Sequence, residues 1–298
     1  MKNLKIICLF ILILLMLAGL ISYYKNPKVS VIISSYNMGD SLENTIQSIE
    51  KQTYKNWELI VIDDGSVDQT SEILKKYKEN KKIKIIKNEH NLGLIKSLNK
   101  GLEIAKGKYI ARLDADDVSY PNRLQRQVRF MEKEKTDLLG SYFSAGGREH
   151  ILIDNSNNSC KLGLILLKKN IIAHPTVMIR KSFLKKHNLI YDENYIYAED
   201  YNLWTQIFIR GGKLGYLGGE PVTIYHYTPH SDEWIKIQKI NTQKIRTNIL
   251  SQIIPDFNEE ISELPLCEFI SEIIKGNRHT NFFNQEHLNK AYIELCKQ

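Results

Sequence analysis

The chain has 298 residues, 43% of them hydrophobic and 25% charged, the balance of an ordinary globular protein with room for one large domain or two small ones. Its formal charge of +7 comes mainly from lysines spread along helical stretches rather than from arginine clusters, which argues against nucleic acid and for an anionic lipid or a phosphate-bearing substrate. The four cysteines, Cys8, Cys160, Cys267 and Cys296, show no Cys-x-x-Cys spacing, so neither a structural zinc site nor a disulfide framework is expected.

The first element is an uncharged run from Ile6 to Ile21. With Leu4 before it and Ser22-Tyr23-Tyr24 after it, about 19 to 20 residues are available, and at about 1.5 Å per residue such a helix covers the roughly 30 Å hydrocarbon layer of a bilayer. A cleaved signal peptide would carry a shorter apolar region ending in a small-x-small site. Here Ala18-Gly19 lies inside the run and bulky tyrosines follow it, so the expectation is an uncleaved membrane anchor over residues 1–24. Lys2 and Lys5 before the run and Lys25 and Lys28 after it leave its orientation nearly balanced.

Val29-Ser30-Val31-Ile32-Ile33 is a β-branched run suited to a buried parallel strand. It stops at Ser34-Ser35-Tyr36-Asn37, and an amphipathic helix with Leu42, Ile46 and Ile49 on one face follows. A second strand, Trp57 to Ile62, ends at Asp63-Asp64-Gly65-Ser66, after which Asp68 is placed to cap a helix carrying Ile73, Leu74 and Tyr77. Ile83 to Ile86 is a third strand, and a helix from Leu94 ends before Gly107. Tyr109-Ile110-Ala111-Arg112 is the fourth strand and runs into Leu113-Asp114-Ala115-Asp116-Asp117; Pro121 then opens a helix over Asn122–Glu134.

From Leu138 to about Arg148 the pattern weakens into Gly- and Ser-containing sequence, and Asp154–Ser159 reads as a polar loop. Beyond it come a helix over Lys161–Asn170, a strand within His174–Arg180, and a helix from Glu199-Asp200 to Arg210. Short strands over Lys213–Leu217 and Pro221–His226 follow, and the chain after Ser231 is helical with breaks at Pro255 and Pro265.

Strand–helix alternation at this spacing predicts parallel β-α-β units with right-handed crossovers, the Rossmann-like α/β/α arrangement. Ser34–Asn37, Asp63–Ser66 and Asp114–Asp117 end three successive strands and should meet along one rim. Three carboxylates packed into Asp114–Asp117 repel one another and call for positive charge; a divalent metal carrying a phosphate supplies it economically.

In order along the chain, Val29–Asn37 (VSVIISSYN), Asp63–Asp68 (DDGSVD), Asn91–Gly101 (NLGLIKSLNKG), Tyr109–Asp117 (YIARLDADD), Pro121–Gln127 (PNRLQRQ), His174–Arg180 (HPTVMIR) and Ala198–Trp204 (AEDYNLW) resemble an inverting family 2 glycosyltransferase of bacterial surface-polysaccharide type. The resemblance covers about residues 29–228 and implies the glycosyltransferase A-type fold, with a helical C-terminal extension over residues 229–298. It implies that Ser34, Tyr36 and Asp64 hold a nucleotide base, that Asp116 binds Mn²⁺ or Mg²⁺ with Asp114 beside the ribose and diphosphate, and that Asp200 is the general base with Glu199 as its neighbour. Arg112 and Arg123 are candidates to approach the diphosphate or to pair with the acidic cluster. Asp117 is a candidate supporting carboxylate, His174 either an acceptor-facing or a buried histidine, and Trp204 a core residue. The family's Tyr-Arg-x-His pattern is altered here to Tyr225-His226-Tyr227-Thr228, which leaves His226 and His230 as candidates for a diphosphate contact.

The implied reaction moves a sugar from a nucleotide-diphosphate donor, UDP-linked by expectation, to a hydroxyl of a lipid-linked or growing glycan, with no nucleic acid involved. A catalytic domain facing the cytoplasm beside the membrane is the matching location. Two alternatives stand next to this: a non-catalytic sugar-binding protein of the same fold, and a haloacid-dehalogenase-like phosphatase, whose Asp-x-Asp follows its first core strand rather than a fourth. No Gly-x-Gly-x-x-Gly follows a strand, which disfavours a dinucleotide-binding dehydrogenase.

Overall fold

The computed structural model describes residues 27–145, 155–254, 257–280 and 283–296. Its centre is β1 (Val29–Ser35), which pairs in parallel with β2 (Trp57–Asp63) on one side and β4 (Tyr109–Arg112) on the other. With β3 (Ile83–Lys87), the pair β6 (Leu138–Ser141) and β7 (Met178–Arg180), and β8 (Leu214–Leu217), the seven-stranded order is β3-β2-β1-β4-β7-β6-β8. Only β7 runs against its neighbours.

Alternation along the strands sends side chains to two separate cores. Val29, Val31 and Ile33 face one core, beneath α1 (Gly39–Glu50), α2 (Thr70–Lys75) and α4 (Arg123–Glu134); Ile32, Ile60 and Ile62 face the other, beneath α3 (Leu94–Ile104), α5 (Ser159–Lys168) and α7 (Glu199–Ile209). Covering both faces is what makes β1 and β2 continuous apolar runs. The α/β/α layering expected from the sequence is the layering found. The C-terminal helices α8 (Asp232–Ile253), α9 (Glu259–Glu263), α10 (Leu266–Thr280) and α11 (Gln285–Cys296) pack Ile249, Leu250, Phe269, Ile273 and Leu288 into the second core.

The chain runs outward from β1 to β2 and β3, then returns to β4 on the opposite side of β1. Where strand order reverses, the loops leaving neighbouring strands diverge and open a crevice at their carboxyl ends. Ser35 lies beside Asp63 and Ile32 beside Arg112, so the loops after β1, β2 and β4 leave from one rim.

Three readings are corrected. No helix among the described residues is long and apolar enough to cross a membrane. The longest, α8 at 22 residues, carries charges from Asp232 to Arg246. The described residues therefore give no support to the expected transmembrane helix or to the single-pass location built on it; the run Ile6–Ile21 lies outside them. Leu138–Ser141, read as weakening sequence, is a buried interior strand: its short Leu-Leu-Gly-Ser pattern carries no periodicity, and pairing with β7 and β8 defines it. Cys267 and Cys296, 29 residues apart, form a disulfide between α10 and α11, where no disulfide was expected.

Candidate active site

The three loops enclose a cavity of about 490 Å³, lined among others by Ser34, Tyr36, Asp64, Asp114, Asp116 and Glu199. Tyr36 stands at its mouth with 42% of its surface exposed, while Asp64 is buried at 2%. The loops are tied to each other: Asn37 N–H donates to Ser66 Oγ at 3.0 Å and Val67 N–H donates to Asn37 Oδ1 at 3.0 Å, with Asn37 in the left-handed region at φ 52°. Gly65, at φ +76°, passes so near the next loop that a Cβ there would meet the His90 carbonyl carbon at 2.5 Å.

Asp64 is the hinge of this wall. Its Oδ1 accepts from Asn88 Nδ2 at 2.7 Å and Leu92 N–H at 2.9 Å, and its Oδ2 accepts from Gly93 N–H at 2.9 Å. A carboxylate offers about four acceptor positions, so three bonds leave Oδ2 with capacity for one more. The loop it holds, Asn91 to Leu94, also lines the cavity. Neighbouring Asp63 is spent internally, accepting from Ser66 N–H at 2.9 Å.

The acidic turn after β4 splits into three roles. Arg112, 4% exposed, forms an ion pair with Asp114. Asp116 lines the cavity and has no ion-pair partner among the described residues. Its pKa is raised by burial and by the charge of Asp114. Asp117 is fully buried and pushed up to about 8 by burial and then by Asp114. It accepts from His226 N–H at 2.8 Å, and its Oδ2 has no hydrogen-bond partner. The pairing of β5 (Val118–Ser119) with β9 (Thr223–Ile224) is what delivers His226 to this turn. No three His, Cys, Asp or Glu side chains among the described residues are grouped to hold a metal unaided.

On the facing side, α7 begins with Glu199 and Asp200, acidic residues suited to a helix start. Glu199 lines the cavity and is 6% exposed; burial and the charge of Asp200 push it up to about 7. Asp200 is raised to about 6 by burial, against hydrogen bonds from Tyr201 N–H and from Asn170 Nδ2 at 3.1 Å. Tyr197, just before them, lines the cavity at φ 65°, a conformation bulky residues rarely adopt and one that recurs at functional sites. Its ring packs 5.1 Å from Trp234, which stacks on His230 at 3.7 Å, so the start of α8 forms part of the surrounding wall.

The structure thus brings Ser34, Tyr36, Asp64, Asp114, Asp116 and Glu199 into one cavity, with Asp200 next to it on the same helix. It does not bring Arg123. That side chain is fully buried, donating from Nη2 to Arg112 O at 2.7 Å, from Nη1 to Thr223 Oγ1 at 3.2 Å and from Nε to Gln127 Oε1 at 3.1 Å, so it braces the acidic loop from beneath rather than meeting a diphosphate. His174 is held by Tyr191 Oη at 2.9 Å and packs on Trp204, and burial followed by the Arg112 charge keeps it neutral. Trp204 is core at 0% exposure. Sequence reading quoted Asn91–Gly101 as part of the family resemblance but gave Asn91–Leu94 no place in the site, and it missed Tyr197. Asn-Leu-Gly before a helix was visible as a helix start, but its place beside Asp64 depends on tertiary contact.

The family model for glycosyl transferase family 2 matches residues 30–188, more than half of the chain. The chain belongs to glycosyl transferase family 2. It is a glycosyltransferase. An uncharacterized glycosyltransferase of Haemophilus influenzae is 36% identical over 223 residues, 70% of this chain and 67% of that protein. The UDP-Glc:alpha-D-GlcNAc-diphosphoundecaprenol beta-1,3-glucosyltransferase WfaP of Escherichia coli is 38% identical over 188 residues, 62% of this chain and 72% of that one. Among solved structures, S. aureus TarS 1-349 in complex with UDP-GlcNAc superposes with a TM-score of 0.63 at 18% identity, covering 90% of this chain and 88% of that one, a likeness of fold.

Proposed function

We propose that this glycosyltransferase takes a sugar from a UDP-linked donor and places it, with inversion, on a hydroxyl of a glycan carried by a lipid diphosphate, as a step in surface-polysaccharide assembly. One observation carries the reading: a wall at Tyr36 and Asp64, an acidic turn at Asp114 and Asp116, and Glu199 at the start of α7 surround a single cavity, with Asp200 the next residue on that helix. The names of WfaP and of the UDP-GlcNAc complex of TarS support the donor class and the lipid-diphosphate acceptor. A phosphatase of the dehalogenase type needs its Asp-x-Asp after the first strand, and here β1, β2 and β3 precede it.

Tyr36 offers a flat face to uracil, and the open lone pair on Asp64 Oδ2 accepts a base N–H. Asp116, with Asp114, suits a divalent cation whose remaining ligands are phosphate oxygens, since sites of this kind use one or two carboxylates plus substrate phosphates. When bound, that cation would neutralise charge on the departing diphosphate. Asp200 takes the proton of the acceptor hydroxyl as its oxygen bonds to the anomeric carbon. The bond from that carbon to the diphosphate breaks on the opposite face, UDP leaves, and a single displacement inverts the centre. The transition state has the oxocarbenium character of glycoside hydrolysis, with the acceptor hydroxyl in place of water.

A base must be ionised to accept a proton. Burial moves the pair Glu199–Asp200 to titrate between about 6 and about 7 rather than near 4, so transfer rises with pH through that window and is flat above it. The check is UDP release from a panel of nucleotide sugars, measured across pH with Mn²⁺ present. Release from a UDP-sugar with this rise supports the reading; release from no UDP-sugar, or a rate already maximal at pH 5, contradicts it.

A further inference from the structure

A second cavity, larger than the donor site, lies beside it. A groove of about 850 Å³ runs between α3 and the segment from α6 (Lys181–Lys186) to Glu193. Its floor is apolar, with Leu102, Leu184 and Leu189 all under 9% exposed, and Ile190 stands in it with 59% of its surface open to solvent. Four lysines border it, Lys96, Lys100, Lys181 and Lys185, against two carboxylates, Glu103 and Glu193.

The groove and the donor cavity share Leu92, Lys96 and Glu193 in their linings, so the two adjoin at these residues. At the junction Lys96 Nζ lies 3.5 Å from Glu193 Oε2, an exposed pair that an anion can exchange at little cost. Lys96 and Lys100 stand one turn apart on α3, about 6 Å between their Cβ atoms, a spacing that two linked phosphates can bridge. Lys100 is already fixed by Asn88 Oδ1 at 2.6 Å, and Asn88 in turn holds Asp64. The walls are pinned as well, because Asn99 exchanges two hydrogen bonds with the Tyr191 backbone at 2.8 and 3.0 Å.

We infer that this groove holds the lipid diphosphate that carries the acceptor sugar, an inference that rests on the proposed reaction. The sugar lies in the donor cavity opposite the paired carboxylates, the diphosphate lies on Lys96 and Lys100 at the junction, and the hydrocarbon chain follows Leu102, Leu184, Leu189 and Ile190. Charge and apolarity are arranged in the order such a molecule presents them. A water-soluble oligosaccharide leaves the apolar floor unused, and a plain fatty chain leaves the lysines at the junction without an anion.

The probe is farnesyl diphosphate, titrated calorimetrically against the full chain saturated with UDP. Wild-type protein binds it, and binds farnesol or pyrophosphate alone more weakly. Ile190→Asp and Lys96→Glu each weaken it by about tenfold, equivalent to about 1.4 kcal/mol, and Ile190→Asp leaves UDP affinity unchanged. The difference between wild type and variants is the reading, since binding anywhere else on the chain is common to all of them. Equal binding by wild type, Ile190→Asp and Lys96→Glu overturns the assignment, as does a probe that binds only when UDP is left out. UDP binding in the same samples reports the donor site, so a failed groove and a failed donor reading give different results.

Discussion

Asp200→Asn is expected to stop transfer while leaving UDP-sugar binding as it was. Asparagine keeps the shape of the side chain and can still accept from Tyr201 N–H, so the start of α7 is preserved. It has no ionisable oxygen, and the acceptor hydroxyl then has to lose its proton to water. Removing a positioned general base costs about 10² to 10⁴ in rate, and kcat should fall in that range with the donor dissociation constant unchanged. Glu199→Gln tests the neighbour. Its carboxylate lines the cavity, but its effect should be smaller than that of Asp200→Asn. A larger loss from Glu199→Gln than from Asp200→Asn would move the base one residue toward the N-terminus.

Asp116→Ala is expected to remove the metal dependence of donor binding. In wild type, UDP should bind roughly a hundredfold more tightly with Mn²⁺ than with a chelator, about 2.7 kcal/mol. In the variant the two conditions should give the same weak affinity. Asp114 alone, with one carboxyl oxygen paired to Arg112, leaves the cation a single protein carboxylate. Wild-type affinity that a chelator does not change would remove the cation from the reading and leave the acidic turn to other work. The fold itself should survive the substitution: Asp116 sits in the loop after β4, and like-charge repulsion from Asp114 is relieved rather than created.

The central sheet could be read from the sequence because both of its faces are covered. Val29–Ile33 and Leu59–Ile62 are continuous apolar runs for that reason, and their polar termini mark where the rim must lie. Interior strand β6 could not, because four residues including Gly140 and Ser141 look like a loop until β7 and β8 flank them. Arg123 was misjudged for a similar reason. A guanidinium near an acidic cluster suggests an anion site, yet here it is spent on Arg112 O, Thr223 and Gln127, a fate set by the packing of α4 beneath β4. The disulfide between Cys267 and Cys296 depends on two helices brought together by tertiary packing, with no local spacing to announce it. Tyr197 shows the limit most plainly: nothing in Ile196-Tyr197-Ala198 announces a left-handed tyrosine, whereas the carboxylates two and three positions later are legible from their place at a helix start.

Soaking crystals of the protein with UDP and Mn²⁺ tests the shared cavity most directly. The expected result is uracil against Tyr36 with a hydrogen bond to Asp64, the diphosphate beside Asp116 with a Mn²⁺ ion between them, and the carboxylates of Glu199 and Asp200 facing the terminal phosphate. UDP bound away from Tyr36 and Asp64, or a diphosphate that meets neither Asp114 nor Asp116, would contradict it.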